Sequence, residues 1–188
     1  VGTGFSQEIM RKQRLEGQAM AGTLRSTGPA GPIILAVMGA IWAMVGLDYA
    51  GVPPVWWAAP VVIAGAIVAL VVQRSRGLVP PPAAEGRRIG RLVGIWSGVE
   101  GVAIFVAINV CINLQRPDWV VPAICVIVGL HFLPLARGLP VRLYYATGAA
   151  MTVLGLLGLA DLTLLAPAMM VAFGAALLLW GTALRVLT

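Results

Sequence analysis

Residues 91–112 read RLVGIWSGVEGVAIFVAINVCI. After the opening arginine, this stretch carries one charge, the Glu100 carboxylate, among apolar and small residues. At 1.5 Å per residue a helix of this length rises ~33 Å, enough to cross ~30 Å of hydrocarbon. Its apolar residues are continuous, so it does not read as the alternating ~10-residue strand of a membrane barrel.

The same reading extends outward to five further segments, at about 30–47, 55–73, 119–136, 142–160 and 164–186. Between them stand Gly51-Val52-Pro53-Pro54, Pro80-Pro81-Pro82, Gln115-Arg116-Pro117-Asp118 and Gly138-Leu139-Pro140, none of which continues a helix. The weakest break is Ala160-Asp161-Leu162-Thr163. Composition agrees: 60% of the chain is apolar and only 11% charged, at a mean hydropathy of +0.94. A water-soluble domain carries about 25% charged residues. The fold class is therefore all-α, a polytopic membrane bundle of six transmembrane helices spanning 29–188.

Basic residues set the expected orientation. Arg11, Lys12, Arg14, Arg25, Arg74, Arg76, Arg87, Arg88, Arg91, Arg137, Arg142 and Arg185 all fall at one side of the six spans. Of the 13 basic residues only Arg116 falls opposite, beside loops that hold Asp48, Asp118 and Asp161. The positive-inside rule then puts both termini in the cytoplasm, in a bacterial inner membrane. The basic side implies anionic lipid headgroups as partners. It is not a nucleic-acid footprint, because no aromatic-interleaved basic patch accompanies it.

Residues 1–28 form a cytoplasmic segment without the apolar run of a signal peptide. Phe5, Ile9, Met20 and Leu24 fall on roughly helical spacing, so the segment reads either as an interfacial helix or as a frayed tail.

Three helical hairpins follow one another, and the second helix of each opens on a proline: Pro60, Pro122 and Pro167. A glycine follows in each, at Gly65, Gly129 and Gly174. Two readings fit: a triplicated hairpin, or the ordinary preference of proline for a helix's first turn.

Ionisable groups are costly in hydrocarbon, about 2.5–3.5 kcal/mol at a helix centre, so each one invites a functional reading. Glu100 lies nine residues beyond Arg91, or ~13 Å in; His131, the single histidine, lies six before Arg137, or ~9 Å in. Similar depth on consecutive antiparallel helices lets the two meet. Trp96, Tyr144, Tyr145 and Thr147 belong to the same half, and with Glu100 and His131 they form the candidate ligand- or proton-binding set. The competing reading is a structural link between helices, with the tyrosines in the interfacial aromatic belt.

Gly90, Gly94 and Gly98 recur every four residues, a stripe expected to pack against another helix and compatible with a homo-oligomer. Trp96, Glu100, Ala107 and Cys111 fall on a different face. Cys111 and Cys125 lie seven residues either side of Asp118 and read as packed free thiols, with a disulfide as the alternative. No metal-ligand cluster, phosphate loop or nucleophile elbow is present, and no cofactor is expected.

The segment Gly129-Leu130-His131-Phe132-Leu133-Pro134-Leu135-Ala136, followed by Tyr144-Tyr145 and Gly148, resembles a short signature of small uncharacterised bacterial polytopic membrane proteins. That resemblance implies about six spans and brings no activity. The functional expectation is a protein that binds and translocates a small solute or ion through Glu100 and His131. The alternatives are a non-catalytic membrane subunit or lipid-interacting scaffold, and an intramembrane enzyme acting on a lipid or isoprenoid.

Overall fold

A computed structural model describes residues 28–76, 82–139, 141–164 and 166–187. Residues 1–27, and with them the choice between an interfacial helix and a frayed tail, lie outside the described residues. Those described are helical, without a strand: α1 (Ala30–Tyr49), α2 (Ala58–Ser75), α3 (Ala83–Asn113), α4 (Val120–Gly138), α5 (Leu143–Leu159) and α6 (Pro167–Leu187). Short 3-10 turns, Pro54–Trp57 and Pro117–Trp119, lead into α2 and α4. Five helices, counting each such turn with the helix it precedes, are long and apolar enough to cross a membrane; α5, at 17 residues, is apolar but shorter. The protein is an α-helical membrane bundle. Only this architecture, or a closed barrel, satisfies every backbone group without water.

The helices end where the chain stops supplying helical geometry. At the acidic end each hairpin turns through a left-handed residue: Gly51 at φ 65°, Gln115 at φ 58° and Asp161 at φ 57°. In each turn the next amide donates back to a carbonyl five residues earlier: Val52 to Leu47, Arg116 to Cys111, Leu162 to Leu157. Such closure satisfies carbonyls that the last helical turn leaves free. Arg116 also forks onto Asp118, with Nη2 2.8 Å from Oδ2, and its guanidinium stacks 3.9 Å over the Trp119 ring.

α6 is the core helix. Ala172, Ala175, Ala176, Leu179 and Ala183 on it are all buried, and it packs on α1, α2, α4 and α5. The most extensive pairings are α4 on α5 and α6 on α1. In both, small residues bring the backbones together. A Cβ at Gly129 would stand 2.8 Å from the Gly148 carbonyl oxygen and 2.6 Å from the Thr152 nitrogen. One at Gly155 would stand 2.7 Å from the Pro122 carbonyl oxygen. On the other side, Gly39 and Gly46 make room for the Trp180 and Phe173 rings. The Trp180 indole N–H donates to the Ala36 carbonyl at 3.0 Å.

Two hydrogen bonds gather the basic end. Arg74 Nη1 donates to the Leu187 carbonyl (3.0 Å), joining the ends of α2 and α6; Arg88 Nη2 donates to the Gly138 carbonyl (3.3 Å), joining α3 to α4.

α3 departs from expectation in two ways. It starts at Ala83 rather than near 91, because nothing in Ala83–Gly90 breaks a helix and Glu85 pairs with Arg88 one turn on. At 31 residues it is ~46 Å long, so its basic first turns project beyond ~30 Å of hydrocarbon. The glycine stripe also packs against nothing among the described residues: a Cβ at Gly90, Gly94 or Gly98 meets none of their atoms within 4 Å. The opposite face, with Trp96, Glu100, Ala107 and Cys111, is the one turned to the bundle, and α3 buries only Cys111 outright. Small residues permit close approach without compelling it. Cys111 and Cys125 are both buried free thiols, and Cys125 Sγ donates to the Met151 carbonyl at 3.3 Å.

Candidate functional site

The site is built where two neighbouring hairpins fail to close on each other. α3 packs on α4, and α1 packs on α2 and α6, but α1 and α3 are not among the closely packed pairs. The space between them is a cavity of about 190 Å³ in the half of the bundle nearer the basic end. Its walls come from five helices: α1 supplies Leu35 and Trp42, α3 Ser97 and Glu100, α4 His131 and Phe132, α5 Tyr144, α6 Leu179.

Glu100 and His131 meet there. Imidazole Nε2 stands 3.6 Å from Glu100 Oε2, within ion-pair range yet longer than a hydrogen bond. The side chains are only 10% and 20% exposed respectively. The backbone carbonyl of Trp96, one turn before Glu100, also faces the imidazole, while Nδ1 is buried without a hydrogen-bond partner. A metal-holding group of three His, Cys, Asp or Glu side chains is absent among the described residues.

Rings from three helices surround the pair. Phe132 meets Tyr144 edge-on at 5.5 Å between centroids and His131 at 6.3 Å. A Cβ at Gly31 would stand 3.0 Å from the Tyr144 hydroxyl, so the absence of a side chain there leaves room for the phenol. The mouth lies between α1 and α3, where the lining residues Ile34 and Met38 are 52% and 45% exposed and Ser97 is exposed. The opening thus lies between two helices apolar enough to span a membrane.

Of the sequence-derived set, Glu100, His131 and Tyr144 line the cavity. Trp96 reaches it only through its backbone carbonyl, and its side chain lines an adjacent groove with Tyr145, Leu133 and Arg137. Tyr145 is 42% exposed and faces away from the pair, as an interfacial tyrosine does. Thr147 does not line this cavity. Its hydroxyl is buried against Thr182 at 2.7 Å and donates to the Leu143 carbonyl at 3.1 Å, tying α5 to α6. It lies one turn beyond the cavity-lining Tyr144 on α5, rotated toward α6, although its depth matches.

Sequence reasoning missed Trp42, Met38, Ser97 and Phe132. Phe132 carried a usable signal, being adjacent to His131 in the quoted segment. Trp42 and Met38 carried none, because an aromatic or thioether residue in an apolar span is ordinary lipid- or core-facing material. The segment 129–136 earns its proximity to Tyr144 and Gly148 in space: Gly129 lies backbone to backbone with Gly148, which places His131 and Tyr144 around one cavity. Neither a protein-family model, nor a curated protein, nor a solved structure matches this chain.

Proposed function

We propose that the chain is a six-span protein of a bacterial inner membrane that binds and translocates a small solute or ion at Glu100 and His131. The observation that carries this reading is the contact between these two side chains at the wall of a cavity open to the bundle's surroundings. A purely structural link between α3 and α4 needs no cavity beside it. The cavity therefore favours a binding role over that of a scaffold. An enzyme acting on a lipid is favoured by a mouth between two apolar helices, but no metal-ligand cluster joins Glu100 and His131 among the described residues.

In this reading α5 is the sixth crossing. Its 17 residues rise ~26 Å, and a short span is accommodated by local thinning and by flanking Arg142. The basic end is cytoplasmic. The three like turns at Gly51, Gln115 and Asp161, and the like pairings of α4 on α5 and α6 on α1, support descent from one hairpin repeated three times. The third equivalent pairing, α2 on α3, is the one not closed.

Two measurements test this. A cysteine engineered beside Asp118 is expected to react with an impermeant maleimide added outside intact cells. Reaction only after the inner face is exposed would invert the topology. Second, proteoliposomes with a trapped pH-sensitive dye are expected to dissipate an imposed pH gradient faster than empty vesicles, with Glu100→Gln at least tenfold slower than the parent. Equal rates for parent and variant would remove Glu100 from any proton path.

A further inference from the structure

We infer that the cavity takes a compact organic cation, one ring bearing a short ammonium arm, and that its binding expels one proton from the Glu100–His131 pair. This rests on reading the cavity as a binding site and adds its ligand class and its coupling.

Size comes first. A cavity of ~150 Å³ is filled by benzene, so about 190 Å³ holds one ring with a small substituent and excludes a phospholipid headgroup with its chains. Wall chemistry comes second. Trp42, Phe132 and Tyr144 line the cavity with ring faces and edges, and Leu35, Met38 and Leu179 complete an apolar surround. Aromatic walls attract a cation through the ring quadrupole, most strongly when water is excluded. Charge comes third. Glu100 is the carboxylate in the lining, and neither arginine nor lysine lines it. An anion would face Glu100 unscreened; a cation neutralises it.

The proton count follows from the pair. Glu100 and His131 side by side hold one proton between them, whether as carboxylate with imidazolium or as carboxylic acid with neutral imidazole. Both arrangements carry the same net charge of zero. A bound cation becomes the counter-ion of Glu100 and needs the carboxylate, and an imidazolium 3.6 Å away would then repel it. The balanced step is pair-H⁺ plus cation giving carboxylate–cation, neutral imidazole and one free proton. The imidazole is suited to yield that proton, because Nδ1 has no partner to hold it in a fixed state. The titratable groups facing the pair are few. Tyr144 on α5 lines the cavity, α1 and α6 contribute apolar lining and no ionisable side chain, and Arg91 and Arg137 lie outside the lining.

The mouth fits the same ligand. Ring-bearing cations partition into the bilayer interface, and the gap between α1 and α3, two helices apolar enough to span a membrane, opens past Ile34 and Met38.

The test is calorimetric titration of the full chain in detergent micelles with benzyltrimethylammonium, whose charge does not change with pH. Measured from pH 5 to 8, affinity is expected to rise with pH, approaching tenfold per unit where the free pair still holds its shared proton and levelling off above that point, with up to one proton released per cation in paired buffers of different ionisation heat. Benzyl alcohol and benzoate should bind at least tenfold more weakly. Glu100→Gln should lose at least tenfold in affinity. Met38→Trp, which fills the half-exposed mouth and leaves both ionisable groups in place, should lose as much with an unchanged melting curve. Affinity independent of pH would overturn the proton exchange. Tighter binding of benzyl alcohol or benzoate, abolished by Met38→Trp, would overturn the cation class and leave the cavity a binding site. No binding of any of the three would overturn both.

Discussion

Replacing Gly155 by leucine is expected to destabilise the bundle by about 3 kcal/mol or more, the upper end of what overpacking costs in a well-packed core. The obstruction is main chain. A Cβ there would stand 2.7 Å from the Pro122 carbonyl oxygen and 2.8 Å from the Val126 nitrogen, and neither can rotate aside as a side chain would. To accept the substitution, α5 would have to move away from α4 and break the most extensive helix pairing in the molecule. Gly94→Leu is expected to change stability by less than about 1 kcal/mol, because its Cβ meets open space and leucine favours a helix over glycine. Thermal melting of the two variants in one detergent separates them. Equal losses would mean that the α3 stripe packs as tightly as the α4–α5 seam.

Separating Glu100 from His131 should give the second large effect. Glu100→Gln and His131→Asn each leave one ionisable group without its counterpart in a site where the two side chains are 20% and 10% exposed. Removing one member of a buried pair strands the other, whereas removing both strands neither. The double variant is therefore expected to be more stable than the sum of the single losses by ~0.5 kcal/mol or more. The same cycle read by dissipation of a pH gradient should show that the second substitution adds little once the first is made. Additive losses in both readouts would make the two side chains independent packing features that merely lie 3.6 Å apart.

How much of the site was legible can be seen from individual residues. Counting from Arg91 to Glu100 and from Arg137 to His131 placed the two at similar depth, and they do meet. Depth along a helix is arithmetic at a fixed rise per residue. Thr147 shows where that arithmetic stops. Its depth matches the site, yet it belongs to the α5–α6 contact with Thr182, because depth says nothing about the direction in which a residue points around the axis. Tyr144 and Tyr145 make the same point as neighbours, one buried at the cavity and the other exposed beside Arg137. In water, direction can be read from polarity, since the core-facing side is apolar and the other is charged. In hydrocarbon both sides are apolar, and that signal is lost.

Small residues are the substitute signal, and they are ambiguous. Gly94 and Gly98 on α3, and Gly148 and Gly155 on α5, are equally open to close packing by composition. Only the second pair meets another backbone. Which glycines are used depends on how neighbouring helices cross, a property of the assembled bundle rather than of either helix.

The sequence alone determined the class of molecule, the positions of its apolar segments and turns, the one-sided distribution of its basic residues and its short inventory of buried ionisable groups. Each of these follows from local chemistry: apolar length against membrane thickness, proline and glycine at turns, the cost of charge in hydrocarbon. The tertiary structure decided the rest: that α6 is the core, that α3 turns its glycines outward and Glu100 inward, and that α1 and α3 leave a cavity walled by Trp42, Phe132 and Tyr144. Those outcomes depend on rotation about helix axes and on shape fit between helices far apart in the chain, and neither is encoded in the polarity of a segment whose every face is apolar.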